Sequence, residues 1–285
     1  MRISMRIPHC SLIHIQTTNL VIAIQYLAIF NIDRLKIDQV YAVYTQYSEE
    51  HQFKRENPMR NHRYDYLTAS EQAYRVIRDM ILEMELLPHQ PLSEQMLADK
   101  LEMSRTPVRE AVARLTTERL IDNASRRQLM VAPIRVALFE TAYYVRRTLE
   151  ADLAQLAAKN TISELDQLSL ETCLNEQEIA ARNNNSEMFY NSDERMHQLI
   201  CECAGKPMVW GIILDSKFHM DRIRKLILKN RTTVLTELID EHRQIVHAVL
   251  VGNAPAAKDA MLAHIAHVFP DLDVIQKQFP EYFAH

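Results

Sequence analysis

One stretch, Pro91 to Leu120 (PLSEQMLADKLEMSRTPVREAVARLTTERL), narrows the possible folds more than any other, because it reads as two short helices meeting at a tight turn. Ser93 is placed to cap the first helix, which would bury Leu97, Ala98 and Leu101 on one face, and the turn falls at Glu102-Met103. The second helix starts near Ser104 or Thr106. Pro107 is tolerated in a first turn, where no N–H bond is lost, and Val108, Ala111, Val112 and Leu115 then form an i, i+3, i+4, i+7 apolar stripe. Arg105 and Arg109, four apart, project together from another side. Such a helix suits the major groove, where Arg pairs bidentately with guanine and helix-end N–H groups hold phosphate. Ser104 and Thr106 add short donors.

The residue pattern alone also fits an ordinary amphipathic helix pair with a solvated arginine face. The next segment favours DNA. Ile121 to Asn123 and Leu129 to Ala132 read as two short strands, and the turn between them carries Arg126 and Arg127, the layout of a wing. From Met103 to Arg135 there are seven Arg against three acidic residues, whereas Tyr66 to Glu102 holds three basic against seven acidic. Positive charge is therefore concentrated where groove and backbone contacts would lie. Upstream, Ala73, Ile77, Met80, Ile81 and Met84 mark a helix over Thr68 to Leu87, stopped by Pro88 and Pro91, which completes a three-helix core.

The segment LSEQMLADKLEMSRTPVREAVARL resembles the winged-helix signature of the GntR family of bacterial transcriptional regulators, with SRTPVREA its most specific part. The resemblance implies that Ser104, Arg105, Thr106 and Arg109 contact double-stranded operator DNA. Gln95 stands where many members carry a DNA-contacting arginine, and with Arg126 and Arg127 it completes the expected DNA-facing set. Gln128 replaces a wing-tip glycine, and His89 and Arg119 also occupy common glycine positions. Each is expected to carry about 1 kcal/mol of strain if its φ is positive.

With 285 residues, 47% of them hydrophobic, the chain can hold two domains with real cores, and its net charge of −4 makes any nucleic-acid binding local. Only three glycines and few aromatics argue for a mainly α protein. Cys10, Cys173, Cys201 and Cys203 include no CxxC pair, which points to buried fillers in a reducing cytoplasm. Residues 1–62 differ from the rest. Asn19 to Phe30 is apolar but spans about twelve residues, short of the roughly twenty of a transmembrane helix, and no signal-peptide cleavage site follows. We expect a natural start at Met59, with residues 1–62 a non-native or disordered extension. A regulatory or membrane-tethering tail is the alternative, and no membrane partner is otherwise expected.

Beyond Ile134 the pattern predicts helices over 136–159, 162–182, 186–203, 207–229, 232–251 and 255–278, bounded by Asn160, Asn183 to Asn185, Gly205-Lys206-Pro207, Asn230 and Gly252-Asn253. The expected architecture is a winged helix-turn-helix domain over 66–134 and an all-helical bundle over 135–285 with a cavity between facing helices. No phosphate loop, nucleophile elbow or repeat is found.

Asp193 and His197, spaced i, i+4, share a helix face and can reach one ion. His242 and His264 lie in later helices, and a lone His is more often a core or surface residue. His267, His247 and His219 compete. The bundle resembles the FCD domain of one GntR subgroup, and that resemblance implies metal binding by Asp193, His197, His242 and His264. Its signature also includes Arg-x-x-Leu-Glu, here Arg146 to Glu150. Three imidazoles and a carboxylate suit Zn, then Ni or Mn, with coordination positions left open for a small carboxylate effector. Arg146, Arg222 and Arg224 are candidate partners of that carboxylate, against the plainer reading of surface ion pairs. The expected protein is a homodimeric repressor whose operator affinity follows effector binding. Two rivals stand beside it: a metal-dependent hydrolase using the same Asp/His set, and a helical interaction protein.

Overall fold

The computed structural model describes residues 67–125, 128–230 and 234–284. The expectations for residues 1–62, Cys10 among them, and for Arg126 and Arg127 lie outside the described residues.

The N-terminal part begins with α1 (Ala69–Leu82), capped by the Thr68 hydroxyl, which accepts from Glu71 N. The helix buries Ala73, Ile77, Met80 and Ile81, but it ends earlier than its apolar pattern suggests. Met84 lies beyond the end at φ 59° and packs against the bundle core instead, and Glu85 N and Leu86 N both return to Met80 O to close the last turn. β1 (Pro91–Leu92) leads into α2 (Glu94–Leu101), and the Ser93 hydroxyl accepts from Met96 N at 3.1 Å. Glu102, at φ 54°, turns the chain into α3 (Arg105–Thr117), which buries Val108, Ala111, Val112 and Leu115. The hairpin β2 (Ile121–Ser125) and β3 (Gln128–Val131) forms the wing.

The sheet is antiparallel in the order β1-β3-β2, with Leu92 opposite Leu129 and Ile121 opposite Val131. β1 was not legible in the sequence, because two residues show no alternation. His89 and Arg119 do adopt positive φ, 63° and 61°. Gln128 begins β3 opposite Ser125, and the irregularity of the hairpin falls between Asn123 and Ser125.

The second part is a bundle: α4 (Val136–Ala157), α5 (Glu164–Arg182), α6 (Ser186–Cys203), α7 (Val209–Ser216), α8 (Phe218–Asn230), α9 (Val234–Leu250), α10 (Ala254–Ala266) and α11 (Val268–Gln278). Two helices expected to be continuous are broken. The 207–229 helix divides at Lys217, whose buried ammonium pairs with Glu194 (2.7 Å) and Asp221 (2.6 Å). The 255–278 helix divides at His267, because Pro270 has no N–H to give to Ala266. Side chains of Ser163, Asn185 and Asn253 cap α5, α6 and α10.

One apolar cluster includes Ala154, Met196, Ile200, Ile245 and Met261, and a second includes Phe139, Phe189, Met220, Ile223 and Ile275. Cys173 and Cys201 lie in the first as buried fillers, their thiols pushed up to about 12 by burial. No helix among the described residues is long and apolar enough to cross a membrane.

Candidate DNA-reading face and metal centre

On the winged helix, Ser104, Arg105, Thr106, Arg109 and Gln95 are all exposed around the start of α3. Ser104 precedes the helix without a side-chain capping bond, so its hydroxyl is not consumed locally. Gln95 donates to Asp99 Oδ1 at 2.7 Å. Glu94, in the first turn of α2, lies 3.1 Å from Arg109 Nε and 3.7 Å from Arg105 Nη2. A single carboxylate thus draws both arginines together at the surface. Sequence reading missed Glu94, since an acid in a helix's first turn is ordinarily read as a response to the helix dipole.

In the bundle, Asp193 and His197 on α6, His242 on α9 and His264 on α10 each offer one ligand atom, and these atoms all lie within 4.8 Å of one another. All four residues are buried. The imidazoles are oriented from behind: His197 Nδ1 lies 2.5 Å from Glu150 Oε2, His242 Nδ1 2.7 Å from Gln177 Oε1, and His264 Nδ1 3.0 Å from Glu241 Oε2. Each Nε2 is left for the interior, with His197 Nε2 and His264 Nε2 3.2 Å apart and His242 Nε2 3.1 Å from Asp193 Oδ1. Asp193 Oδ1 and His242 Nε2, and on the outer side His197 Nδ1 despite its closeness to Glu150, are buried without an aligned hydrogen bond. Buried polar atoms are rarely left so. Converging lone pairs, each fixed by an outer partner, match what a divalent ion requires of its ligands.

The electrostatics agree with this geometry. Burial, and then its neighbours His242 and His197, hold His264 well below the ordinary imidazole range, and burial lowers His242 too, so both are neutral lone-pair donors at pH 7. Burial pushes the Asp193 carboxyl up, but Arg224 and then His242 outweigh it and keep it ionised. Glu150 is likewise held well below the carboxylate range by Arg146 and then His197, against burial.

Arg146 and Arg224 line, together with Asp193, His264, His267 and Asp271, a cavity of about 40 Å³ beside the centre. Arg146 is paired with Glu150 through two hydrogen bonds, Nε to Oε1 at 2.5 Å and Nη2 to Oε2 at 3.2 Å. Arg224 donates to Asp193 Oδ2, and to Glu194 Oε1 at 2.7 Å.

Arg222 is elsewhere. It does not line the cavity; fully buried, it donates from Nη1 to Ala132 O at 2.8 Å, on the connection between wing and bundle. Burial, and then Arg135, lower its guanidinium to about 9. Of the competing histidines, His267 sits 2.6 Å from Glu241 Oε1 at the cavity, and His247 is exposed. His219 belongs to the seam with the winged helix: its Nδ1 accepts from Arg135 N (3.3 Å), and its Nε2 lies 3.2 Å from Arg119 O. Glu150, Gln177 and Glu241 were not picked out as site residues in the sequence. Only Glu150 had a signal, as the last residue of the Arg-x-x-Leu-Glu signature.

A two-helix reading element with a wing, followed by a helical bundle around a polar centre, defines a DNA-binding protein of the winged helix-turn-helix class. Residues 69–131 match the family described as bacterial regulatory proteins, gntR family, and residues 141–267 match the FCD domain. The chain is 33% identical over 218 residues to an uncharacterized HTH-type transcriptional regulator in an unstable DNA locus of Streptomyces ambofaciens, a span of 76% of this chain and 90% of that protein. It is 27% identical over 216 residues to the HTH-type transcriptional repressor RspR of Escherichia coli strain K12, spanning 76% of this chain and 94% of RspR. The solved structure of E. coli McbR/YncC, at 20% identity and a TM-score of 0.63 over 75% of this chain and 99% of that one, shares the fold.

The chain therefore belongs to the GntR family of HTH-type transcriptional regulators, in the group that carries an FCD domain. It is a DNA-binding transcriptional regulator and not an enzyme, which removes the hydrolase alternative.

Proposed function

We propose that the protein is a homodimeric repressor, residues 66–134 reading operator DNA and residues 135–285 sensing a small carboxylate at a divalent metal ion. The observation that carries this reading is the convergence of Asp193, His197, His242 and His264, with an outer acceptor beside the far nitrogen of every imidazole. Zn suits the donor set first, with Ni or Mn as alternatives. A divalent ion held there supplies a Lewis-acid position for a carboxylate oxygen. The RspR relative's name supports repression as the sign of control. Ser104, Arg105, Thr106 and Arg109, with Gln95 and the wing residues Arg126 and Arg127, are assigned to operator contact, in the cytoplasm where that DNA lies.

α8 gives the two sites a physical route to each other. From one side Arg224 grips Asp193, and the Asp221 and Glu194 that flank it also hold Lys217 at the break before α8. From other positions His219 and Arg222 hold the connecting residues Arg135 and Ala132, while Lys225 and Lys229 pair with Glu83 at the end of α1. The connection is also tied to the C-terminal tail, since Ile134 N donates to Tyr282 O and Ala284 N to Ile134 O. A ligand that changes Arg224's partners thus acts on a helix bonded to the reading domain, and a coupling of about 1–3 kcal/mol is the usual scale of such control.

Metal analysis joined to an operator-binding assay tests the reading. The wild-type protein is expected to carry about one ion per protomer, and a small carboxylate to weaken its operator binding. His242→Ala with His264→Ala should lose both the ion and the response while still binding operator. Purified protein that takes up no Zn, Ni or Mn would refute the sensing half.

A further inference from the structure

The cavity beside the candidate metal centre has a charged lining, Asp271 of α11 included, and an apolar one. The apolar lining is hydrocarbon: Phe189 from α6, Ile227 and Leu228 from α8, Leu238 from α9, Ile265 from α10 and Val268 from α11. Among the described lining residues there is no Ser, Thr, Asn, Gln or Tyr side chain to meet a hydroxyl group. The charged side chains are already engaged, Arg146 by Glu150, Arg224 by Asp193 and Glu194, and His267 by Glu241, and the buried Asp271 is not without a partner either. A site built to select hydroxylated ligands presents unoccupied donors and acceptors to each hydroxyl, because a hydroxyl buried without a partner costs about tenfold in affinity. Hydrocarbon placed on these walls gains instead. The volume of about 40 Å³ restricts the ligand further to a compact one.

From this, and resting on the sensing role proposed above, we infer that the effector is a short-chain acid whose carboxylate lies at the metal side and whose tail is bare hydrocarbon, and that polyhydroxylated acids of the sugar-acid type are rejected. Phe189, Leu228 and Leu238 are the specificity-determining side chains. They act by offering the tail no hydrogen-bond partner, so discrimination should depend on hydroxyls far from the carboxylate and not on the acid group.

Two acids with the same four-carbon skeleton separate the alternatives. 2-Hydroxybutanoate and 2,3,4-trihydroxybutanoate share the carboxylate and the adjacent oxygen, and so offer a metal ion the same chelating pair. They differ only at the two outer carbons. Calorimetric titration of the full chain in zinc-containing buffer should show the first binding about a hundredfold more tightly, tenfold for each unpartnered hydroxyl. Leu238→Asn, a change at a partly buried position, should narrow that ratio to about tenfold by supplying one partner. Equal or tighter binding of the trihydroxy acid overturns the inference and leaves carboxylate sensing intact. If neither acid binds, carboxylate sensing at this site falls together with the inference.

Discussion

The two functional regions handle charge in opposite ways. At the reading face, the Arg105 and Arg109 side chains are 57% and 64% exposed and share one carboxylate, Glu94. At the candidate metal centre, Arg146, Glu150, Asp193, His197, His242 and His264 are all at most 6% exposed. Water solvates the first set, so its members can be removed with little effect on the fold, and they are free to exchange solvent for phosphate or base edges. In the second set each ionised group stands only because another neutralises it, so removing one such charge alone costs stability as well as function.

The sharpest way to break this comparison is at Glu150. Glu150→Ala leaves the Arg146 guanidinium buried without its bidentate partner, and a loss of about 3–5 kcal/mol in urea-denaturation stability is expected. Replacing both partners, Arg146→Met with Glu150→Leu, should recover most of that loss, since the penalty lies in the unpaired charge. A single variant as stable as wild type would show that the buried network is not self-neutralising. At the other region the prediction is reversed. Arg105→Ala and Arg109→Ala should each remove about 1–3 kcal/mol of operator affinity, yet shift folding stability by less than about 0.5 kcal/mol. Gel-shift titration and melting curves of the same preparations read both quantities.

The same contrast explains what could be read from the sequence. The reading face was legible because its signals are local: the Ser93 cap, the 108-111-112-115 stripe and the paired arginines all fall within thirty residues. The candidate metal centre is assembled from α6, α9 and α10, and its four residues sit on the apolar stripes of those helices. Asp193 and His197 fall between Phe189 and Ile200, and His242 between Ile239 and Ile245, so periodicity alone marks them as core. Only the i, i+4 pair gave a spacing argument, and the remainder came from family resemblance. Arg222 was misread because a buried arginine's partner is a tertiary fact. Its acceptor, Ala132 O, is ninety residues away in the chain.

A prediction of intermediate size concerns the seam joining the two regions. Burial, and then Arg222, depress the His219 imidazole from its ordinary 6.5 to about 3. Above pH 6.5 it is neutral folded or unfolded, and its contribution is intact. As pH falls below that value the unfolded chain takes up a proton that the folded chain refuses, so stability drops by about 1.4 kcal/mol per pH unit until about pH 3. His219→Gln should abolish this term, so that between pH 7 and pH 5 it loses about 2 kcal/mol less than wild type in denaturant titrations. Parallel losses in the two proteins would mean that the imidazole takes up its proton in the folded state, and the seam would then be as open to water as the reading face.

The smallest effect expected is at Glu94, and it decides how that face is prepared for DNA. Glu94 either neutralises Arg105 and Arg109 or holds them in place for the groove. Its pairs with them are surface pairs at 3.7 and 3.1 Å, a kind that contributes at most about 1 kcal/mol, so neutralisation should outweigh positioning. Glu94→Gln is therefore expected to tighten operator binding by up to about fivefold at low salt. Screening should shrink the gain as ionic strength rises, because the charge removed repels phosphate through water. A weaker complex at every salt concentration would instead make Glu94 a positioning residue, and the exposed face would then be preorganised in the way the buried centre is.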